Sequence, residues 1–138
     1  MATLFPGTRE HRATIGGVEI FARIGGSGPP LLLIHGFPQT HAMWHRIAPA
    51  LMQRFTCVMP DLRGYGYSAC PPNDAKNEAY SKRAMAKDLL GLMAGLGHAR
   101  FAVIGHDRGG RVGYRMALDQ PEALSCLAVL DIVPTYAM

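Results

Sequence analysis

A candidate nucleophile, Asp107, lies within the segment Gly105–Arg111, which contains the pattern Gly-x-Asp-x-Gly. An apolar run precedes this segment and a helix-like run follows it. The pattern therefore predicts a sharp turn between a strand and a helix that presents a nucleophile. A carboxylate that attacks a saturated carbon forms an alkyl ester, which water cleaves, whereas a serine would form a stable ether. We therefore predict displacement at carbon, such as carbon–halogen cleavage or epoxide opening, rather than ordinary ester hydrolysis.

Backbone N–H groups are expected to surround Asp107. The helix that begins after the turn directs its free N–H groups and the positive end of its dipole towards the carboxylate, which should lower the pKa of Asp107 and keep it ionised. The segment His35–Pro38 follows another apolar run. We predict that the backbone N–H groups of Phe37 and Arg108 form an oxyanion hole. We interpret His35 itself as a hydrogen-bonded structural residue.

Two arginines, Arg108 and Arg111, follow the predicted nucleophile at a spacing that places them on one helix face. Two guanidinium groups beside the attacking carboxylate could hold a carboxylate of the substrate through paired hydrogen bonds. Either arginine could instead pair with an acidic residue of the protein or lie in solvent. Next to an Asp nucleophile we favour the clamp, which predicts a small anionic substrate.

A second carboxylate, Asp131, lies in the next strand-like run, Leu127–Val133. A carboxylate at a strand end could orient a catalytic histidine, although aspartates are also common at ordinary strand ends. The pattern around Asp107 favours the catalytic role. No histidine follows a late strand, and we expect His106, inside the turn, to point into the structure.

The rest of the chain predicts the elements that position these residues. A hairpin is expected over His11–Ile24 because two strand-like runs flank Gly16 and Gly17. Short apolar runs predict buried strands at residues 31–34, 55–59, 101–104 and 127–133, and helical spacing predicts helices at residues 42–53, 81–96 and 110–119. Strands that alternate with helices predict an α/β fold with a mostly parallel sheet and helices on both faces.

Composition excludes several classes of protein. The 138 residues fit one domain, and 49% apolar with 17% charged residues indicates a globular chain. The net charge of +4 is scattered except for Lys82, Arg83 and Lys87, which we interpret as a solvated helix face, so no nucleic-acid partner is expected. There is no apolar signal segment, membrane-length run or zinc spacing, and the three cysteines suggest free thiols. We expect a cytoplasmic protein with no membrane partner, metal or cofactor.

Three segments together resemble one enzyme family. Residues 35–40, 61–68 and 105–111 are similar to the haloacetate (fluoroacetate) dehalogenases, which are α/β-hydrolases related to epoxide hydrolases and haloalkane dehalogenases. The first two segments are shared with epoxide hydrolases, and the Asp-Arg-Gly-Gly-Arg run is more specific. The resemblance spans nearly the whole chain and implies the α/β-hydrolase fold.

The resemblance also implies a role for each candidate residue. Asp107 would be the nucleophile and Asp131 the acid of the catalytic triad. Arg108 and Arg111 would hold the carboxylate of a haloacetate, and Phe37 would contribute to the oxyanion hole and to the pocket wall. The implied reaction converts a halogenated carboxylate and water to glycolate and halide without a metal or cofactor.

The sequence departs from the family at its end. The family has eight strands, a helical cap and a late catalytic histidine, whereas this chain stops at Tyr136–Met138. We therefore interpret residues 1–138 as the N-terminal part of the core domain, with the cap absent and Leu127–Val133 as an exposed apolar edge. Such a chain would be a fragment, or would work with a missing C-terminal half or as a homodimer, and turnover should stall at the ester. The alternatives are an epoxide hydrolase and a non-catalytic remnant.

Overall fold

The computed structural model describes residues 4–133 and shows one six-stranded sheet within them. The strands are β1 (Thr8–Ile15), β2 (Val18–Gly25), β3 (Pro30–Ile34), β4 (Thr56–Pro60), β5 (Phe101–His106) and β6 (Leu124–Leu130). The helices are α1 (Ala48–Leu51), α2 (Lys82–Gly95) and α3 (Arg108–Asp119), with short 3-10 turns at His41–Trp44, Glu78–Tyr80 and Pro121–Ala123. The predicted α/β fold is confirmed.

The sheet has the order β1-β2-β4-β3-β5-β6. The predicted hairpin is formed by β1 and β2, which pair in antiparallel fashion around Gly16 and Gly17. Both glycines have positive φ, at 56° and 83°, as a two-residue hairpin turn requires. Strands β4, β3, β5 and β6 run parallel. Because β3 lies between two neighbours and is covered on both faces, its sequence is a continuous apolar run.

Helices cover both faces of the sheet, as predicted. On one face α2 and α3 pack over a core that includes Ile34, Leu89 and Val112. On the other face α1 and the 3-10 turn His41–Trp44 cover a smaller core that includes Leu33 and Trp44. Strands β3 and β5 therefore end between two packed layers, and the loops that follow them lie at one edge of the sheet.

The predicted helix at residues 42–53 is wrong. A 3-10 turn at His41–Trp44 and the one-turn helix α1 occupy this segment instead. Pro49 lacks an N–H, and its ring would collide with the carbonyl group four residues earlier, so a continuous helix cannot pass through it. Pro49 is tolerated in the first turn of α1. Ile47, which shares the predicted buried face, is 46% exposed.

The last described strand begins and ends three residues earlier than predicted. Strand β6 runs alongside the full length of β5, from Leu124 opposite Phe101 to Leu130 opposite His106. It is the edge strand of the sheet among residues 4–133, and Val129 and Leu130 are 37% and 44% exposed. The expected apolar edge is therefore present. Residues Tyr136–Met138, on which the expectation of a truncated domain is based, lie outside the described residues.

A buried ion pair joins the loop after β4 to α2. The Arg63 guanidinium donates to both carboxylate oxygens of Asp88 at 2.7 Å and to the carbonyl of Ala79 at 2.7 Å. Asp88 is 3% exposed. This two-point contact fixes α2 against the loop, and α2 begins next to the site described below.

Replacing Asp88 with alanine should destabilise the chain by about 3–5 kcal/mol, because the change leaves the Arg63 charge buried without its partner. Urea denaturation followed by circular dichroism measures the loss. Asp119→Ala is the matched control, since Asp119 pairs with arginines at the surface, and exposed pairs contribute little. Equal stability losses for the two variants would contradict the prediction.

Candidate active site

The turn between β5 and α3 has the geometry that the glycine pattern predicts. Asp107 is the single residue between the two elements, with φ 54° and ψ −119°. Its N–H donates to the carbonyl of Leu130 at 3.0 Å, and its carbonyl accepts from the N–H of Gly110 at 2.9 Å. A positive φ is costly for a residue with a side chain. Hydrogen bonds on both sides hold Asp107 in this conformation.

The backbone of the loop after β3 packs directly against the turn. A side chain at Gly36 would place its Cβ 2.6 Å from the Cβ of Asp107 and 2.7 Å from the carbonyl oxygen of His106. Only glycine allows this approach. The amide of Gln39 holds the loop from the other side, because its Oε1 accepts from the N–H of Gly36 at 3.1 Å.

The carboxylate of Asp107 receives hydrogen bonds from the backbone. The Phe37 N–H donates to Oδ2 at 3.1 Å, and the Arg108 N–H also donates to the carboxylate. Partial burial acts to raise the pKa of Asp107, but these two donors, together with the nearby positive charges of His106 and Arg108, outweigh it and the net pKa is lowered. Phe37 and Arg108 are the two residues whose N–H groups the sequence predicted for an oxyanion hole.

Both predicted arginines lie beside Asp107. They line a cavity of about 390 Å³ together with Asp107 and Lys82. The guanidinium of Arg108 lies 4.5 Å from the centre of the Phe37 ring, a cation–π contact, and donates to the Tyr65 hydroxyl at 3.3 Å. The cavity therefore presents three cationic side chains around one carboxylate, which suits an anionic ligand.

Asp131 follows β6 directly and contacts a histidine. Its Oδ2 lies 3.3 Å from His106 Nε2, and its side chain is 84% exposed. His106 points largely into the structure, as expected, and its side chain is 22% exposed. Its Nδ1 lies 3.1 Å from Gln39 Oε1. His106 thus bridges the loop after β3 and the end of β6.

Residues 29–138 match the sequence profile of the alpha/beta hydrolase fold. The chain belongs to the α/β-hydrolase family. The turn at Asp107 lies between a strand and a helix, the position of the nucleophile elbow in that fold, and the segment after β3 contributes a facing N–H group.

Three proteins illustrate what this α/β-hydrolase resembles. A fluoroacetate dehalogenase from a Burkholderia species is 53% identical over 98% of this chain and 44% of that protein. A soluble epoxide hydrolase from Corynebacterium sp. (strain C12) is 40% identical over 90% of this chain and 42% of that protein. The crystal structure of a candidate acyltransferase from Salmonella enterica has a TM-score of 0.96 at 47% identity, covering 99% and 46% of the two chains. This chain thus spans less than half the length of each.

The α/β-hydrolase chain offers neither a membrane span nor a metal cluster in the part that the structure describes. No helix within residues 4–133 is long and apolar enough to cross a membrane. The same residues contain no group of three or more His, Cys, Asp or Glu side chains placed to hold a metal ion.

Sequence analysis missed Lys82. This residue begins α2, 25 positions before the elbow, and its grouping with Arg83 and Lys87 predicts a solvated face. Arg83 and Lys87 are exposed as expected, but Lys82 is half-buried and lines the cavity with Asp107. Lysine in a first helical turn opposes the helix dipole. That local mismatch was the one signal in the sequence that could have identified it.

Proposed function

We propose that this chain supplies the nucleophile half of a hydrolytic dehalogenase that acts on haloacetates. The observation that carries the proposal is a cavity lined by an ionised Asp107 together with Arg108 and Arg111. A carboxylate nucleophile accounts for attack at carbon, and paired guanidinium groups account for a carboxylate on the substrate. The 53% identical fluoroacetate dehalogenase supports the same substrate class.

The first step is a displacement at carbon. An oxygen of Asp107 attacks the carbon that bears the halogen, the carbon–oxygen bond forms, and the halide leaves with the electron pair of the broken bond. Arg108 and Arg111 hold the carboxylate of the substrate, so that the reacting carbon faces Asp107. The product is an ester between Asp107 and glycolate.

The second step is hydrolysis of that ester. Water attacks the carboxyl carbon of Asp107 and gives a proton to a base. The backbone N–H groups of Phe37 and Arg108 stabilise the oxyanion. Collapse breaks the bond between the carboxyl carbon and the glycolate oxygen, which takes the proton from the base, and the Asp107 carboxyl group loses its remaining proton to solvent. Asp131 is proposed to orient the base. The resemblance to the dehalogenases implies that this base is a histidine late in the sequence. Within residues 4–133 the ring next to Asp131 is that of His106.

An epoxide hydrolase is the second candidate, because a soluble epoxide hydrolase is 40% identical to this chain. The same Asp107 ester would then form by ring opening, and the product would be a diol. An epoxide carries no carboxylate, so this reaction gives the two arginines beside Asp107 no role in substrate binding. A non-catalytic remnant, the third candidate, would form no ester at all.

Incubation with chloroacetate in water labelled with heavy oxygen tests the proposal. Peptide mass spectrometry should find one of two products on the peptide that contains Asp107. An ester that persists adds a carboxymethyl group. An ester that is hydrolysed leaves heavy oxygen in the Asp107 carboxylate, because water attacks the carboxyl carbon. Either result, with halide release, identifies Asp107 as the nucleophile.

Parallel incubation with styrene oxide separates the candidates. Halide release without diol formation supports the dehalogenase, and diol formation without halide release supports the epoxide hydrolase. An Asp107 peptide that stays unmodified and unlabelled with both compounds would sink both enzyme proposals and favour the remnant.

A further inference from the structure

Neither the local helix structure nor an acidic partner among residues 4–133 explains why a lysine occupies position 82. It is the first residue of α2, after the N-cap Ser81, and its side chain lines the cavity with Asp107, Arg108 and Arg111. The side chain is half-buried. Within the described part of the chain no carboxylate forms an ion pair with it, whereas its neighbour Arg83 pairs with Asp119 at 2.9 Å.

The surroundings of Lys82 disfavour its charge. Burial is the main factor that lowers the pKa of Lys82, and the positive charges of Arg108 and Arg111 lower it further, whereas Tyr114 and Asp107 act in the opposite direction. The dipole of α2 also repels a cation in the first turn. An anion that enters the cavity would therefore stabilise the charged form of Lys82.

We propose that Lys82 is a third cationic group of the substrate site and selects substrates that carry a carboxylate. This inference rests on the proposed function and extends it to a residue on a different helix. The guanidinium groups both belong to α3, whereas the ammonium of Lys82 approaches the substrate from α2. The ammonium is a substrate-binding group and takes no part in proton transfer.

The charges of the cavity favour an anionic substrate. When a haloacetate binds, its carboxylate lies beside that of Asp107, and two negative charges repel strongly in a partly desolvated cavity. During displacement the charge of Asp107 passes to the leaving halide, so the cavity still contains two negative charges. Arg108 and Arg111 balance these two charges, and Lys82 adds a third positive charge that favours the second anion further. A neutral substrate needs no such compensation, so Lys82 should affect anionic substrates selectively.

Binding of acetate, a carboxylate with no leaving group, tests Lys82 without requiring any reaction. Backbone amide shifts of α3 are followed by NMR on the full chain during titration with acetate and, separately, with neutral acetamide. Lys82→Met should weaken acetate binding about tenfold, the effect of one charged hydrogen bond, and leave acetamide binding unchanged. Lys82→Arg should retain acetate binding because it keeps the charge.

Two further variants complete the design. Lys87→Met removes the same charge from an exposed position on the same helix and should bind acetate like the wild type. Arg111→Met should weaken acetate binding if the proposed clamp is correct. Circular dichroism confirms that each variant is folded.

Equal acetate affinity for Lys82→Met and the wild type, or equal losses for Lys82→Met and Lys87→Met, would overturn the inference. Absence of acetate binding by the wild type would overturn it as well. The proposed function fails separately, when chloroacetate leaves Asp107 unmodified and unlabelled. If Arg111→Met weakens acetate binding and Lys82→Met does not, the proposed arginine clamp is supported and only the proposed role of Lys82 is rejected.

Discussion

Replacing Asp107 with asparagine is expected to lower the rate of ester formation more than about a thousandfold, the largest effect of any single change considered for this site. The amide of asparagine is neutral and its oxygen is a poor nucleophile, so the carbon–halogen bond is not attacked. The N–H groups of Phe37 and Arg108, which donate to Asp107, still find an oxygen to accept their hydrogen bonds. The elbow should therefore keep its geometry while the chemistry is lost.

Mass spectrometry of the Asp107 peptide after incubation with chloroacetate measures this effect directly. Asp119→Asn is the matched control, since it removes one carboxylate from the far end of the same helix. That variant should react at the wild-type rate. Halide release by Asp107→Asn at the wild-type rate would show that another group attacks the substrate, and peptide mapping would reveal whether an exposed thiol such as Cys70 is modified instead.

The elbow could be predicted from sequence because its determinants are local. Strand, turn and helix follow one another within Phe101–Asp119, and Gly105 is required by close contacts with Gly109 and Gly110 within the same turn. The position of the loop His35–Pro38 beside Asp107 was also predictable, since the loop after a buried strand lies at the same edge of a parallel sheet. Both predictions depend on general rules of the fold rather than on particular side-chain packing.

The remaining features depend on tertiary contacts or on one overriding residue. Helical spacing over residues 42–53 is genuine, but the steric effect of Pro49 overrides it. Lys82 enters the site because α2 packs beside α3, and the ion pair between Arg63 and Asp88 helps to set that placement. His106 meets Asp131 because β6 aligns with β5 in a register that sequence does not specify. Apart from Pro49 and the unfavourable first-turn position of Lys82, local patterns carry none of this information.

Replacing Gly109 with alanine is expected to destabilise the chain by about 3 kcal/mol, the upper part of the range for overpacking a core. The new Cβ would lie 2.2 Å from the carbonyl oxygen of Ile34 and 2.4 Å from that of His35. Both oxygens belong to the backbone at the end of β3, where Ile34 pairs with Gly105 of β5. Relief of the collision therefore requires α3 to move away from the sheet or β3 to shift in its register.

Helix propensity makes this prediction stringent. Alanine is favoured over glycine inside a helix by about 1 kcal/mol, so the collision must exceed that gain before any loss of stability appears. Gly95→Ala isolates the propensity effect, because Gly95 ends α2 and a Cβ there has no neighbour within 4 Å. Urea denaturation should show Gly95→Ala at least as stable as the wild type and Gly109→Ala clearly less stable.

The same substitution connects stability to the site. Because the backbone that the new Cβ displaces leads directly into the loop of Phe37, any Gly109→Ala protein that remains folded should lose the 3.1 Å hydrogen bond from the Phe37 N–H to Asp107. The pKa of Asp107 would then rise towards its ordinary value, since the Phe37 N–H is one of the groups that lower it. NMR titration of the Asp107 carboxyl measures the change. A variant as stable as the wild type with an unchanged Asp107 titration would show that the elbow does not depend on the close contact between α3 and β3.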